Sequence, residues 1–268
     1  MSNFFKALKA VGLILRKPYL LNLICDDETV KQNYIEKKYH MSAGLPTIDI
    51  SNFINSHEEV TPYSFLEGSS LPTDLALLRA ICRKNNVVNY LEIGTWRGES
   101  AANVSPLVKN CFTINLPDEE MLHLGMDDSY IEMHRFFSKG LPNVTHIQAN
   151  SMTFDFSSLN KKFDLIFIDG DHHTEVIASD TKNAFKLLKD NNSVIVWHDY
   201  GLTTETPRFN VLAGILDGCP AEYRDNLYHV SNTLCAIFTK ESLVSKYRKS
   251  NTNPSKYFNV LLNVKDLH

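Results

Sequence analysis

Val87-Val88-Asn89-Tyr90-Leu91-Glu92-Ile93-Gly94-Thr95-Trp96-Arg97-Gly98-Glu99-Ser100 reads as a buried strand, a tight glycine turn and the first turn of a helix. A short apolar run ends on an acid. Gly94 then lets the backbone turn sharply, and Gly98 is expected to let the following helix lie close to the sheet. Units of this kind open ligand sites at the carboxyl edge of a parallel sheet. The spacing is Glu-x-Gly-x-x-x-Gly, not the Gly-x-Gly-x-x-Gly that brings two backbone segments close to a dinucleotide pyrophosphate.

An acid facing the ligand suits a cation better than a phosphate. S-adenosylmethionine (SAM) has an amine, a sulfonium and a carboxylate and no phosphate, so Glu92, Gly94, Thr95, Gly98 and Ser100 are candidate contacts for it. Downstream, Cys111 to Leu116 reads as a second strand, Val144 to Ala149 as a third, Phe163 to Ile168 as a fourth and Val194 to Trp197 as a fifth, with helical patterns between. Leu227 to Val230 and Leu234 to Phe238 read as an antiparallel hairpin. This alternation predicts an α/β, Rossmann-like, mostly parallel sheet with one reversed strand and helices on both faces.

Upstream, Pro72 and Thr73 start a helix, and the loop from Thr61 to Ser70 is placed to cover a ligand. Residues 1–60 read as a helical N-terminal extension, 61–240 as the ligand-binding domain and 241–268 as a C-terminal helix and tail. Pro18 is expected to open a second helix running toward Tyr39, and residues 118–140, rich in Met and aromatics, read as an insertion near a substrate.

The chain has 268 residues, 43% hydrophobic and 22% charged, with a net charge of −4. That balance fits a globular domain and carries no global basic field for nucleic acid. Five scattered cysteines without a Cys-x-x-Cys pair argue for reduced thiols and a cytoplasmic setting. No apolar run reaches transmembrane length, and no signal-peptide cleavage pattern follows Leu15. Residues 1–17 read as an amphipathic helix, packed on the body or a second copy in a homo-oligomer, or resting on a membrane surface.

Polar residues end the central strands in succession: Glu92, Asn115, Asn150, Asp169 and Asp199. Helix capping accounts for one such residue more readily than for five. Asp169 and Asp199, at neighbouring strand ends, would lie roughly 5 Å apart. With Asp171 and His198 beside them, they would repel unless protonated or bridged by a cation. Oxygen ligands favour magnesium, and His172, His173 and His198 keep manganese or another transition metal in play. The competing reading is a helix-capping Asp171 and a salt-bridged Asp199.

The blocks Tyr90-Leu91-Glu92-Ile93-Gly94-Thr95-Trp96-x-Gly98-x-Ser100, Phe163 to His172 and Trp197-His198-Asp199-Tyr200 resemble class I SAM-dependent methyltransferases. They look most like the branch with the macrolide-sugar O-methyltransferases and cephalosporin-hydroxylase-like proteins. The resemblance covers about residues 62–240 and implies a seven-stranded sheet with SAM as cofactor. It places Glu92, Gly94 and Gly98 on the methionine side, Asn115 at the ribose, and Asn150 and Ser151 at the adenine, with Asp169 also bordering the cofactor. It makes Asp169 and Asp199, supported by Asp171, the metal ligands. Asn115 departs from the acid usual at the ribose position.

Methyl transfer needs a hydroxyl aligned with the sulfonium methyl and lowered in pKa, work for which a divalent ion is suited. His172, or else His198, is the candidate proton acceptor. The expected function is a metal-assisted O-methyltransferase acting on a small hydroxylated molecule such as a sugar or polysaccharide precursor. The alternatives are a hydroxylase-like or other non-methylating enzyme on the same scaffold, and a non-catalytic SAM- or nucleotide-binding protein.

Overall fold

The computed structural model describes residues 3–18, 20, 28–248 and 253–267. Its elements are α1 (Asn3–Arg16), α2 (Glu28–Tyr39), β1 (Thr47–Ile48), α3 (Pro72–Lys84), β2 (Asn89–Ile93), α4 (Glu99–Val104), β3 (Asn110–Asn115), α5 (Asp118–His123), α6 (Asp128–Met133), β4 (Val144–Gln148), β5 (Leu165–Ile168), α7 (Thr174–Leu187), β6 (Val194–Trp197), α8 (Phe209–Gly218), β7 (Leu227–Val230), β8 (Ala236–Phe238) and β9 (Ser245–Lys246).

The strands form one sheet in the order β4-β3-β2-β5-β6-β8-β7-β1-β9. From β2 the chain winds outward through β3 and β4, then returns to lay β5 on the other side of β2. The order therefore reverses between β2 and β5, and the crevice at their carboxyl ends is where such sheets bind ligands. β6 continues parallel to β5, and the β7–β8 hairpin closes that side with β8 antiparallel to β6.

Alternation of side chains along each strand builds two cores. Tyr90, Leu165, Phe167, Val194 and Val196 face α3, whose Leu75, Leu78 and Ile81 are fully buried. Leu91, Ile93, Ile166, Ile168, Ile195 and Trp197 face the opposite layer with α7 and α8. Pro72 starts α3 because its missing N–H lies where no intrahelical acceptor exists, and Asp74 accepts from the Leu71 N–H at 2.8 Å.

The mostly parallel α/β sheet is as expected, but among the described residues it has nine strands rather than seven. The additions are two-residue edge strands: β1 pairs parallel to β7, and β9 antiparallel to β1, so two strands rather than one run in reverse. β1 lies in the stretch read as a helical extension, and a two-residue strand leaves no periodicity to detect. Residues 241–248 and 253–267 contain no helix. Of the helix expected from Pro18 toward Tyr39, the part described is α2; residues 19 and 21–27 lie outside the described residues. No helix among the described residues is long and apolar enough to cross a membrane.

Candidate active site

The Gly94 turn is held by the ends of the neighbouring strands β3 and β5. Gly94 has φ +96°, and a Cβ there would lie 2.6 Å from the Gly170 Cα and inside the Asp169 carbonyl. Its N–H donates to the Ile114 carbonyl at 2.8 Å, and the Asp169 N–H to the Ile93 carbonyl at 2.8 Å. The ends of β2, β3 and β5 are thereby locked together. Gly98, at φ +76°, makes room for the turn at Ser138, whose Cβ would be 2.8 Å from a Gly98 Cβ. Close helix–sheet packing is not its role.

Glu92 lies one residue inside β2 and is fully buried. One carboxylate oxygen accepts from the Tyr90 hydroxyl at 2.7 Å, while Oε1 is buried with no hydrogen-bond partner. Burial pushes its carboxyl up to about 8, against the pull of the Tyr90 hydroxyl. The Thr95 hydroxyl is also buried and unpartnered, and Ser100 is buried in the first turn of α4. A carboxylate oxygen without a donor, beside a glycine turn at the sheet's switch point, fits a ligand ammonium or sulfonium.

Asn115 does not stand free for a ribose. Its Oδ1 accepts from the Thr95 N–H at 3.3 Å, and its amide faces His134 and Met121. Asn150 donates to Glu120 at 2.9 Å and caps its own turn through the Met152 N–H. The Ser151 hydroxyl bonds the buried Asp180, whose carboxyl burial pushes up to about 6. Thus α5 lies over the ends of β3 and β4, and α6 packs its Tyr130 on Trp96 after the Gly94 turn.

Several residues of this half escaped the sequence reading. Trp96, Tyr130 and His134 pack as a trio with ring centroids 4.5–4.9 Å apart. His134 Nδ1–H donates to the Thr95 carbonyl at 3.0 Å, leaving Nε2 as a buried acceptor without a partner, and burial lowers its pKa. Arg97 donates to the Glu67 carbonyl at 2.8 Å, and Glu99 accepts from the Ser64 N–H and the Ser69 hydroxyl. These bonds pin the loop of residues 61–70 over the start of α4. The nearest signal was the loop's small and aromatic composition, which names no partners.

The second half of the site is at the ends of β5 and β6. Ligating atoms of Asp169, His172 and Asp199 lie within 4.8 Å of one another. His172 Nε2 is 2.8 Å from Asp199 Oδ2. Asp199 has φ +53°, a left-handed conformation sparsely used outside glycine and held here by its partners. Asp171 does not join them; its carboxylate caps its own turn, accepting from the His173 N–H at 2.6 Å.

His198 joins the two carboxylates from beneath. Its Nδ1 is 3.0 Å from Asp169 and 3.1 Å from Asp199, and its Nε2 is 3.1 Å from the fully buried Asp74. Both ring nitrogens therefore donate. Burial alone would lower its pKa, but these three carboxylates hold it well above the usual value. Burial would likewise raise Asp199, but bonds and charge from His172 and His198 hold it well below the carboxylate range. The bond to Asp199 raises His172. The pair expected to be bare and mutually repelling is thus already neutralised by histidine, with Arg208 3.8 Å from Asp199. Asp74, some 120 residues earlier in the chain, gave no sign of belonging to this network.

The residues fit a divalent ion: two carboxylates and one imidazole converge, and such a mixed oxygen–nitrogen set admits manganese as readily as magnesium.

Residues 91–200 match a family described as a methyltransferase domain. No curated protein matches the chain. Among solved structures it is similar to the SAH-bound methyltransferase PaMTH1 of Podospora anserina, with 19% identity, 65% of this chain and 80% of that chain covered, and a TM-score of 0.46. It is also similar to an SAH-bound O-methyltransferase of Bacillus cereus, at 16% identity, 71% and 95% coverage, and a TM-score of 0.44. A third is the SAM-bound O-methyltransferase TomG of Streptomyces achromogenes, at 16% identity, 64% and 82% coverage, and a TM-score of 0.44.

Proposed function

We propose that this class I SAM-dependent methyltransferase methylates a hydroxyl group of a small molecule, assisted by a divalent cation on Asp169, His172 and Asp199. The observation that carries the reading is the convergence of these three side chains beside the Gly94 turn. Bound SAM would supply the methyl group on a sulfonium, and the cation would act as a Lewis acid on the acceptor hydroxyl.

The chain's own residues then divide the work. Glu92, with its unpartnered oxygen, draws the cationic methionine end to the turn. Thr95, Gly98 and Ser100 shape that turn, while Asn115, Asn150 and Ser151 border the ribose and adenine side through the neighbours they hold. His198 is a positioning residue: with both nitrogens bonded to carboxylates, it has no site left for the acceptor's proton. His172 is the third ligand when an ion is present. Without one, its 2.8 Å bond to Asp199 occupies Nε2 and leaves Nδ1, 3.4 Å from Arg208, as the nitrogen that could take that proton. Asp171 supports the turn that carries His172.

A neutral or polar acceptor agrees with the net charge of −4. Residues 61–240 form the catalytic unit in this reading, with 1–60 and 241–268 as extensions. A reduced, cytoplasmic setting agrees with four buried free thiols, Cys82, Cys111, Cys219 and Cys235. The test is transfer from methyl-labelled SAM to a panel of nucleotide sugars and phenols, with and without chelator. Label appearing as an O-methyl ether, lost in chelator and restored by magnesium or manganese, is expected. Full transfer in chelator would remove the cation, and transfer to RNA or DNA instead would overturn the acceptor class.

A further inference from the structure

None of the residues of helix α1 is buried, and among the described residues none of them belongs to either core. Yet its sequence is amphipathic. Phe4, Leu8, Val11 and Leu15 follow one another at three- and four-residue steps on one side, with Phe5 beside them, each more than half exposed. Lys6, Lys9, Arg16 and Lys17 lie on the other side, and no acid occurs before Asp26. We propose that α1 docks the protein on an anionic lipid surface, its apolar stripe entering the acyl boundary and its cations meeting the headgroups.

Two observations favour lipid over a second copy of the chain. The cations have no acidic counterpart on the helix, so association of two α1 helices gains nothing from four like charges, whereas an anionic bilayer attracts every one of them. Its 14 residues span about 21 Å, too short to cross a bilayer but suited to lying in its plane.

The test is co-sedimentation of the full chain with vesicles of phosphatidylcholine alone or mixed with phosphatidylserine, at low and high salt. Binding to the mixed vesicles, weakened by salt, is expected. The double variant Leu8→Asp, Val11→Asp should abolish it and leave the thermal melt unchanged, because both side chains are more than half exposed and belong to neither core. Neutralising Lys6 and Lys9 with glutamine should weaken binding by about fivefold per charge. Absence of binding to the mixed vesicles, or binding that the double variant retains, would overturn the proposal. So would self-association in ultracentrifugation that the double variant removes while vesicle binding is absent.

Discussion

Glu92→Gln separates what Glu92 does for the ligand from what it costs the fold. In the ligand-free protein its carboxyl is fully buried, bonded to Tyr90, and pushed up to about 8 by that burial. The unfolded chain holds the same group near its ordinary carboxyl value. Between those two values the native state keeps a proton that the unfolded state has lost. The contribution of Glu92 to stability is therefore full below the ordinary value and falls as pH rises through about 8. At neutral pH the cost is on the order of 3 kcal/mol. Gln keeps an oxygen for Tyr90 but places an amide where Oε1 has no partner, which returns about 1 kcal/mol. The variant should be more stable by roughly 2 kcal/mol, or about 4–8 °C in Tm, and the gap should widen from acid to neutral pH. It should also bind SAM about tenfold to a hundredfold more weakly, having lost the charge that meets the ligand cation. Wild-type binding should release a proton, read by calorimetry in buffers of different ionisation enthalpy. A variant no more stable than wild type at neutral pH, or one that binds SAM equally well, would refute the reasoning.

Asp199→Asn should lose metal affinity and most turnover. It should also lower metal-free stability by about 1–3 kcal/mol, because it leaves His172 and His198 without their shared acceptor; a melt with and without manganese reads both effects. Gly94→Ala should cost about 2–4 kcal/mol through its left-handed backbone and the Asp169–Gly170 clash, and a denaturant titration matching wild type would contradict that. Metal affinity should fall as pH drops through the raised pKa of His172, since the imidazole must be neutral to ligate; metal titrations at several pH values check this. Asp74→Asn should weaken metal binding with SAM affinity unchanged, because Asp74 reaches the carboxylates only through His198.

The mostly parallel sheet was legible because central strands are short apolar runs ending on polar residues, as in Ile168-Asp169 and Trp197-His198. The edge strands β1 and β9 were not, since two residues carry no period. The site was legible where neighbouring strand ends supply it, which brought Asp169 and Asp199 together. It was not legible where a loop chooses between adjacent side chains: His172 turns to Asp199 while Asp171 caps its own turn, and nothing in Asp-His-His fixes which. The sharp turn at Gly94 was legible, but not which backbone approaches it. A glycine needed for close backbone approach looks the same in sequence whether the approaching group is a ligand or, as here, the end of β5. Asp74 and His134 come from segments whose link to the site exists only in three dimensions.

Calorimetric titration of SAM and of its demethylated product into the full chain, with ATP and NAD as controls, tests the central claim most directly. Saturable binding of both sulfur ligands, weakened by Glu92→Gln and absent for ATP and NAD, is the predicted result. Binding of ATP or NAD with no heat from SAM or its product would contradict it.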